Sequence, residues 1–585
     1  MAMTWQEGTT VGDMLNVIWH GLRLDLAVCG YILVLPWLIF LIDAIRPNRV
    51  TRPLLRIYYI IIALAVSIII VADASLYNFW HFKLDASVFL YTDKPKDAMA
   101  SVSIWYVVTR LLMIAAWFVV IIKSLPLPLP RRGASTRKKI WLTSLTGIAS
   151  GLLLFLVIRG GIGKGTNNVS MAYYSENQYL NHCALNPVFN LLYSMGKQED
   201  FASEAQYFND EEVKEIIKEI YPIKHPSLGG AGGYLISRPH DILLIIWEGA
   251  GVDMLSKYKC GTELDKIAKD GIVFTQCYAN SFRTDRGQLS LLAGWPAIPK
   301  TSLMKIPEKC ERLSALPRTL LNNGYETTFW YGGDISFANT GGYMHQAGFQ
   351  HTVSDKDFPR SERKTSWGIY DETLFNSLYQ SLSSRSTTDD AKCSRGAGGG
   401  FFDAVMTLTS HEPWQTPIKK LDNERANAFY YTDQCIGRLI DKLRKSPQWD
   451  NLLVIITADH GALDIGDSEY HHPKITHIPM VWTGGVVKQP MKIDRIMNQS
   501  DLPATLLGQM GISHDEFIFS RDILSPDYTY PCAFHAYNGG ISFVDSTGYT
   551  TYDIDGNHAI LNANAVRERK AKGILQYLYR KIAEL

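Results

Sequence analysis

No two of the eight cysteines stand in C-x-x-C spacing, so neither a zinc knuckle nor a dithiol redox motif can be built from them. An oxidising compartment would permit disulfides, but nothing in the spacing fixes a pairing. There is no excess of charge of either sign: the formal net charge over 585 residues is +1, which gives no footing for nucleic acid as a partner. The mean hydropathy of −0.04 hides an uneven distribution, because the first quarter of the chain is nearly free of charge over long stretches. Four apolar runs, at about 26–42, 57–74, 104–122 and 140–158, are each long enough to cross a bilayer. One such run could be a core helix or a signal peptide; four in succession, separated by polar loops, imply a membrane domain.

The loops between the runs differ in charge. The first carries Arg46, Arg49, Arg52 and Arg56 against Asp43 alone, and the third carries Lys123, Arg131, Arg132, Arg137, Lys138 and Lys139 with no acid. The second mixes Lys83, Lys94 and Lys96 with Asp85, Asp93 and Asp97. By the positive-inside rule the first and third loops are cytoplasmic, and everything after Arg159 is extracytoplasmic. This multi-pass arrangement in a bacterial cytoplasmic membrane puts Met1 outside, so a further span is expected upstream of the sequence. Arg23, Asp25 and Arg110 lie in or beside the runs, where charges pair, face a polar cavity, or snorkel to the interface.

Three segments follow from this reading: a transmembrane domain over 1–159, a juxtamembrane linker over 160–236, and an extracytoplasmic domain over 237–585. The linker contains one clear helix, EEVKEIIKEIY, capped by Asp210 and closed by Pro222. SLGGAGGY at 227–234 reads as a flexible hinge. Beyond it, DILLIIW, YETTFWY, FFDAVMTLT, NLLVIIT and HIPMVW are short apolar runs separated by helical patterns, which predicts a mainly parallel sheet covered by helices. The stretch 382–400 is low in complexity and expected to be a disordered surface insertion. After Tyr528 short strand-like pieces with glycine turns follow, and a basic amphipathic helix from about Val566 ends the chain.

The polar residues that end the apolar runs carry the chemistry. DILLIIW runs into Glu248, FFDAVMTLTS into His411, and NLLVIITA into Asp459, His460 and Gly461. A capping aspartate followed by an incidental histidine would explain the last of these alone. Three strands that each deliver a carboxylate or an imidazole at their carboxyl ends place those groups along one edge of the sheet, where open α/β folds bind ligands. In NSFRTDRGQLSLLAGWP, QLSLLAG is a buried helix, which leaves Thr284 at its N-terminus. There Thr284 either caps the helix or carries a hydroxyl whose anion the helix dipole stabilises. Glu248, Thr284, Asp459 and His460 form a hard, oxygen-rich tetrahedral set suited to one divalent ion, Mn²⁺ or Zn²⁺, which would activate the threonine as a nucleophile.

These motifs resemble the alkaline phosphatase and sulfatase superfamily, in particular its membrane-anchored branch of lipoteichoic acid synthases and lipid A phosphoethanolamine transferases. The resemblance implies an α-helical transmembrane domain followed by a three-layer α/β/α domain. It further implies metal binding by Glu248, Thr284, Asp459 and His460, with Thr284 as the catalytic nucleophile. Thr409-Ser410-His411-Glu412-Pro413-Trp414 matches a motif whose histidine binds substrate. His477 resembles a phosphate-side or auxiliary metal-side histidine, which leaves open a second metal near His411 and His477. The arginine that grips phosphoglycerol in the synthases has no counterpart: the corresponding stretch is FANT, ending in Thr340, which leaves glycerol phosphate specificity open; Arg283 and Arg286, flanking Thr284, either substitute for it or are surface or helix-start charges. The C-x-P-x-R motif of true sulfatases is also absent, TDRG standing in its place. His471 and His472 are expected in a loop over the site.

The implied activity is transfer of a phospho-alcohol, phosphoglycerol or phosphoethanolamine, from a membrane phospholipid through a phosphothreonine to a lipid or glycan acceptor in the cell envelope. The alternative is a hydrolase of the same superfamily, a phosphatase, phosphodiesterase or sulfatase-like enzyme. A degenerate membrane scaffold is a third reading, but it would have lost ligands at random, whereas the four ligand positions are intact.

Overall fold

The computed structural model describes residues 9–45, 50–80, 83–84, 88, 104–125, 137–163, 166–175, 178–195, 201, 203–222, 235–237, 239–299, 301–387, 400–462, 472–554 and 556–585. The expected hinge at 227–234, His471, Ala134 and most of the inter-span loops lie outside them. The chain divides into two units, Met1–Glu199 and Asp200–Leu585.

The first unit is helical. Three helices, α1 (Val11–Ile45), α2 (Thr51–Trp80) and α3 (Ile104–Ser124), are long and apolar enough to cross a membrane. The fourth apolar run forms α4 (Arg137–Arg159), whose described apolar part is shorter, Leu145–Arg159. Two short helices, α5 (Gln178–Ala184) and α6 (Pro187–Met195), pack on α1 and α2. Lys83 pairs with Asp73, the Asp25 carboxylate accepts from Asn186 at 2.6 Å, and Arg110 lies over the Tyr106 ring.

The second unit opens with α7 (Asp210–Ile220). Its cap is Asn209 rather than Asp210: the Asn209 side chain accepts from the Glu211 and Glu212 amides, and Glu212 returns the bond to the Asn209 amide. Aspartate one position later falls in the first turn, where its charge still meets the helix dipole.

Eight strands follow in one sheet: β1 (Asp241–Trp247), β2 (Ile272–Tyr278), β3 (Glu326–Tyr331), β4 (His351–Val353), β5 (Phe401–Met406), β6 (Leu452–Ala458), β7 (Met480–Thr483) and β8 (Met491–Asn498). Their order is β4-β3-β5-β1-β6-β7-β2-β8, parallel except that β7 runs against β6 and β2. The central strands β1, β5 and β6 are buried along their whole length, which is why each reads as an unbroken apolar run. Strand β2 and the edge strand β8 beside it mix apolar with polar residues and are not legible as such runs.

Helices cover both faces. The register pairs Ile246 with Met406 and with Thr457, so these side chains share one face of the sheet. On that face α8 (Thr284–Ala293) lies, with Gln288 against the Met406 sulfur. Trp247, one residue on, points to the other face and meets Phe429 of α10 (Glu424–Arg444). That face is shared by α9 (Asp371–Thr387). Helix α9 overlaps the stretch expected to be disordered: Leu382 is fully buried in it, so the helical part of that stretch reaches Thr387, and 388–399 lies outside the described residues. An antiparallel sheet of β9 (Cys532–Tyr537), β10 (Gly540–Asp545), β11 (Gly548–Asp553) and β12 (His558–Leu561) follows. The chain ends in α11 (Ala565–Glu584), which packs against α7. The seven described cysteines are all free.

Candidate active site

Strand register brings the polar residues together. Glu248 and Asp459 stand two residues beyond Ile246 and Thr457, level with each other and on the face that α8 covers. The Glu248 amide donates to the Thr407 hydroxyl at 3.0 Å, and Ser410 donates to the Glu248 carbonyl at 2.7 Å, so the end of β5 holds the backbone of the glutamate. Asp459 accepts from the Gly249 and His460 amides through one oxygen, each at 2.9 Å. Its other oxygen, Oδ2, is buried and has no hydrogen-bond partner.

Thr284 is the first residue of α8, whose cap residue is Arg283, with no side-chain capping bond. The threonine hydroxyl therefore does not cap its own helix. It points at the carboxylates, 3.3 Å from Glu248 Oε2 and 3.5 Å from His460 Nε2. The His460 ring donates from Nδ1 to the Gly461 carbonyl at 2.9 Å, which turns Nε2 toward the acids, 3.3 Å from Glu248 Oε1 and 3.4 Å from Asp459 Oδ2.

Donors held about 2.1 Å from one cation at tetrahedral angles are themselves about 3.4 Å apart. Four of the separations, 3.3–3.5 Å, fall at that spacing, Glu248 meeting Thr284 through Oε2 and His460 through Oε1, and one donor atom each of Glu248, Asp459 and His460 lie within 4.8 Å of one another. The unpartnered Asp459 Oδ2 is the second sign that this donor set fits a divalent ion. Electrostatics give the third. Burial pushes the Asp459 carboxyl up to about 7, and the Glu248 charge adds to the rise. Burial opposes a charge on His460 as well, but the Asp459 and Glu248 carboxylates outweigh it and lift the imidazole to about 10. For Glu248 burial again acts upward, and its bond to His460 reverses the sign and leaves it below the usual range. Two buried carboxylates thus demand a positive charge at this point. Among the described residues there is no second acid and histidine cluster of this kind.

The histidines expected to bind substrate are placed differently from each other. His411 is near enough for its charge to lower the Glu248 carboxyl; its Nδ1 donates to the Glu412 carbonyl at 2.7 Å and its ring packs 4.5 Å from Trp367. His477 is not brought into the cluster. Its Nε2 donates to the Thr275 carbonyl at 2.8 Å and its ring stacks on Tyr278. His472 caps a short turn and its Nε2 contacts the Tyr549 hydroxyl. FANT forms a tight turn with Ala338 and Asn339 at positive φ, and Thr340 opens the next helix, buried. Arg286 is buried and turned to Ser281 and Asn538, while Arg283 is exposed beside Phe282.

Sequence reasoning missed three residues. A Cβ on Gly287 would lie 2.0 Å from the Asp459 carbonyl oxygen, so glycine is what lets α8 rest against the end of β6. Gln499, fully buried, ties the same two elements by donating to the Asp459 carbonyl at 2.9 Å and the Gly287 carbonyl at 3.3 Å. Tyr331 pairs with Met406 in the register and so lies on the same face as Glu248 and Asp459. Burial, then the Glu248 and Asp459 charges, keeps its hydroxyl protonated. A glycine inside a helical pattern was the one legible signal among these.

Residues 240–512 match the Sulfatase family model. That stretch, from the start of β1 to just past β8, is what resembles the family. Phosphoglycerol transferase I of Xanthomonas campestris pv. campestris is 24% identical over 225 residues, 36% of this chain and 30% of that protein. The Escherichia coli O139:H28 protein of the same name is 22% identical over 159 residues, 25% of this chain and 20% of that one. The chain thus aligns with less than a third of the length of these curated relatives. The Sulfatase-family fold recurs in two solved structures. A Vibrio parahaemolyticus protein of the alkaline phosphatase superfamily superposes with a TM-score of 0.55 at 24% identity, over 65% of this chain and 97% of that one. The lipoteichoic acid synthase LtaP of Listeria monocytogenes does so with a TM-score of 0.51 at 16% identity, over 63% of this chain and 98% of that one.

Proposed function

We propose that this protein is a membrane-bound transferase of the Sulfatase family that moves a phospho-alcohol head group, phosphoglycerol first among the candidates, from a phospholipid to a lipid or glycan of the cell envelope. The observation that carries this reading is the placement of the Thr284 hydroxyl, directed away from its own helix and into the Glu248, Asp459 and His460 cluster. The names of the curated relatives favour phosphoglycerol, and the apolar helices α1 to α3 would hold the protein where a lipid donor lies.

In this reading Thr284 Oγ attacks the phosphorus of the donor's phosphodiester. The bond from phosphorus to the diacylglycerol oxygen breaks, diacylglycerol leaves with a proton, and the phospho-alcohol stays on Thr284. An acceptor hydroxyl then attacks the same phosphorus, and the threonine oxygen is released. Glu248, Thr284, Asp459 and His460 would hold a divalent ion, which supplies a lower hydroxyl pKa and screening of developing phosphoryl charge. His411, with Nδ1 fixed by the Glu412 carbonyl, presents Nε2 as the atom that passes a proton to the leaving alcohol. The amides at the start of α8 stabilise the anionic phosphoryl group.

Peptide mass spectrometry of protein purified from cells tests this. An adduct of phosphoglycerol mass on Thr284 is expected; phosphoethanolamine mass would change the donor, and no adduct during turnover of a phospholipid would sink the covalent route.

A further inference from the structure

Two guanidinium groups of the membrane unit close on the same turn. Arg23, on α1, donates from Nη2 to the Gly160 carbonyl at 2.6 Å and from Nε to Asn167 Oδ1 at 2.9 Å. Arg159, the last residue of α4, donates from Nη1 to the Gly161 and Gly163 carbonyls at 2.8 and 2.6 Å. Asn167 fastens the turn to the helix, donating to the Ile158 carbonyl at 2.9 Å while its amide bonds to the Arg159 carbonyl. Every acceptor here is neutral. Among the described residues no carboxylate pairs with either arginine.

Capping accounts for part of this arrangement, since cations at a helix C-terminus meet its free carbonyls. It does not account for the charge. A helix end offers about half an elementary negative charge against two guanidinium charges, so among the described residues the turn keeps an excess of more than one positive charge. It also keeps unused donors: Arg23 has Nη1 left, and Arg159 has Nε and Nη2. One turn back along the same face of α1, His20 stacks on Tyr174 at 4.1 Å, and the Tyr174 hydroxyl is buried without a partner.

Depth identifies the ligand. From Arg23 to the end of α1 at Ile45 is about 33 Å of helix, close to the hydrocarbon thickness of a bilayer. Arg159 ends the apolar stretch Leu145–Arg159 of α4, so the turn that both arginines grip stands where that stretch meets the lipid head groups, whose anions are phosphodiesters, and a guanidinium fork matches a phosphate pair of oxygens. We infer that Arg23 and Arg159 form a binding site for the phosphodiester of an anionic membrane phospholipid at the α1–α4 end. The site is separate from the chemistry assigned to Thr284 and stands without it.

The test uses full-length protein from nanodiscs of phosphatidylcholine with and without phosphatidylglycerol, and native mass spectrometry to count retained lipid. Wild type should retain phosphatidylglycerol over phosphatidylcholine, and the Arg23→Gln, Arg159→Gln double variant should retain it about ten-fold less. Thr284→Ala should retain it like wild type. Equal retention by wild type and the double variant overturns the site, as does loss of the lipid in Thr284→Ala. Displacement by inorganic phosphate at concentrations comparable to the lipid would make it a free-anion site, and unfolding of the double variant would reduce both arginines to helix caps; either result overturns the lipid assignment.

Discussion

His460 carries opposite instructions from its surroundings: burial disfavours its proton, and two carboxylates hold it there. With the imidazole raised to about 10, the metal-free ring is protonated at neutral pH, so a divalent ion must displace that proton to reach Nε2. The sign follows directly. Binding releases at least one proton, so affinity for Mn²⁺ or Zn²⁺ should rise about ten-fold per pH unit from pH 7 toward 9. Calorimetry in buffers of different ionisation enthalpy reads the released proton, and a pH-independent affinity would refute the assignment. Removing a carboxylate goes further. Glu248→Ala or Asp459→Asn should weaken metal binding by more than about a hundredfold, measured by elemental analysis after dialysis. Thr284→Ala is expected to keep the fold and lose turnover by on the order of a thousand-fold or more, because no neighbouring hydroxyl replaces it. Tyr331 is a finer probe of the same face. Tyr331→Phe keeps the ring that packs by Gly333 and removes only a donor held neutral beside Glu248 and Asp459. Turnover about ten-fold lower with metal content unchanged would show that the hydroxyl meets the phosphoryl group; loss of metal instead would show that it serves the cluster.

At the level of elements, the site is the meeting of β1, β6 and α8, and the sequence revealed the first two far better than the third contact. Strands β1 and β6 are buried on both faces, so their apolar runs stop where the polar chemistry starts, and Glu248 and Asp459 could be read from that edge. The helix start at Thr284 was legible too, from Gly294 and the apolar QLSLLA. What could not be read was how α8 comes within reach of β6, because that depends on an absent side chain and on a glutamine more than 200 residues away in the chain. The same blindness to distant packing placed the cap of α7 one residue late and left the buried Leu382 in a segment expected to be disordered: short-range composition does not show which polar residues a neighbouring element will cover. Gly287 makes the contact testable. A methyl group there would meet the Asp459 carbonyl at 2.0 Å, with backbone on both sides. Gly287→Ala is expected to cost about 1–3 kcal/mol of stability. It should also lower turnover by roughly a hundredfold, through displacement of Thr284 by an ångström or so. Thermal unfolding and kinetics measured together separate the two effects; an unchanged rate would mean that α8 can shift without moving its first residue.

At the scale of the whole chain, the proposed reaction requires an orientation. A phospholipid donor in the outer leaflet and an acceptor in the envelope are both reached from the extracytoplasmic side, so the Sulfatase-family domain must lie there. The charge pattern agrees: the loops bearing Arg49 and Arg132 are rich in arginine and lysine, the one between them is mixed, and cytoplasmic loops carry the basic excess. With those loops cytoplasmic and α4 counted as a fourth span, Arg159 would reach the outer surface. A cysteine at Ser384 is well placed to read this, since the residue is exposed near the end of α9, away from the strand edge that carries Glu248 and Asp459. Ser384→Cys should react with a membrane-impermeant thiol reagent in cells whose outer membrane, if present, has been permeabilised. Ala134→Cys, in the basic third loop, should react only after the cytoplasmic membrane is opened. The buried native cysteines of the second unit should stay silent, whereas Cys29, exposed on α1, the half-buried Cys183, and Cys393, which lies outside the described residues, must be replaced first because each could give a false signal. Labelling at Ala134 before Ser384 would invert the topology, and a transferase facing the cytoplasm would have no access to the acceptor on which the proposed reaction depends.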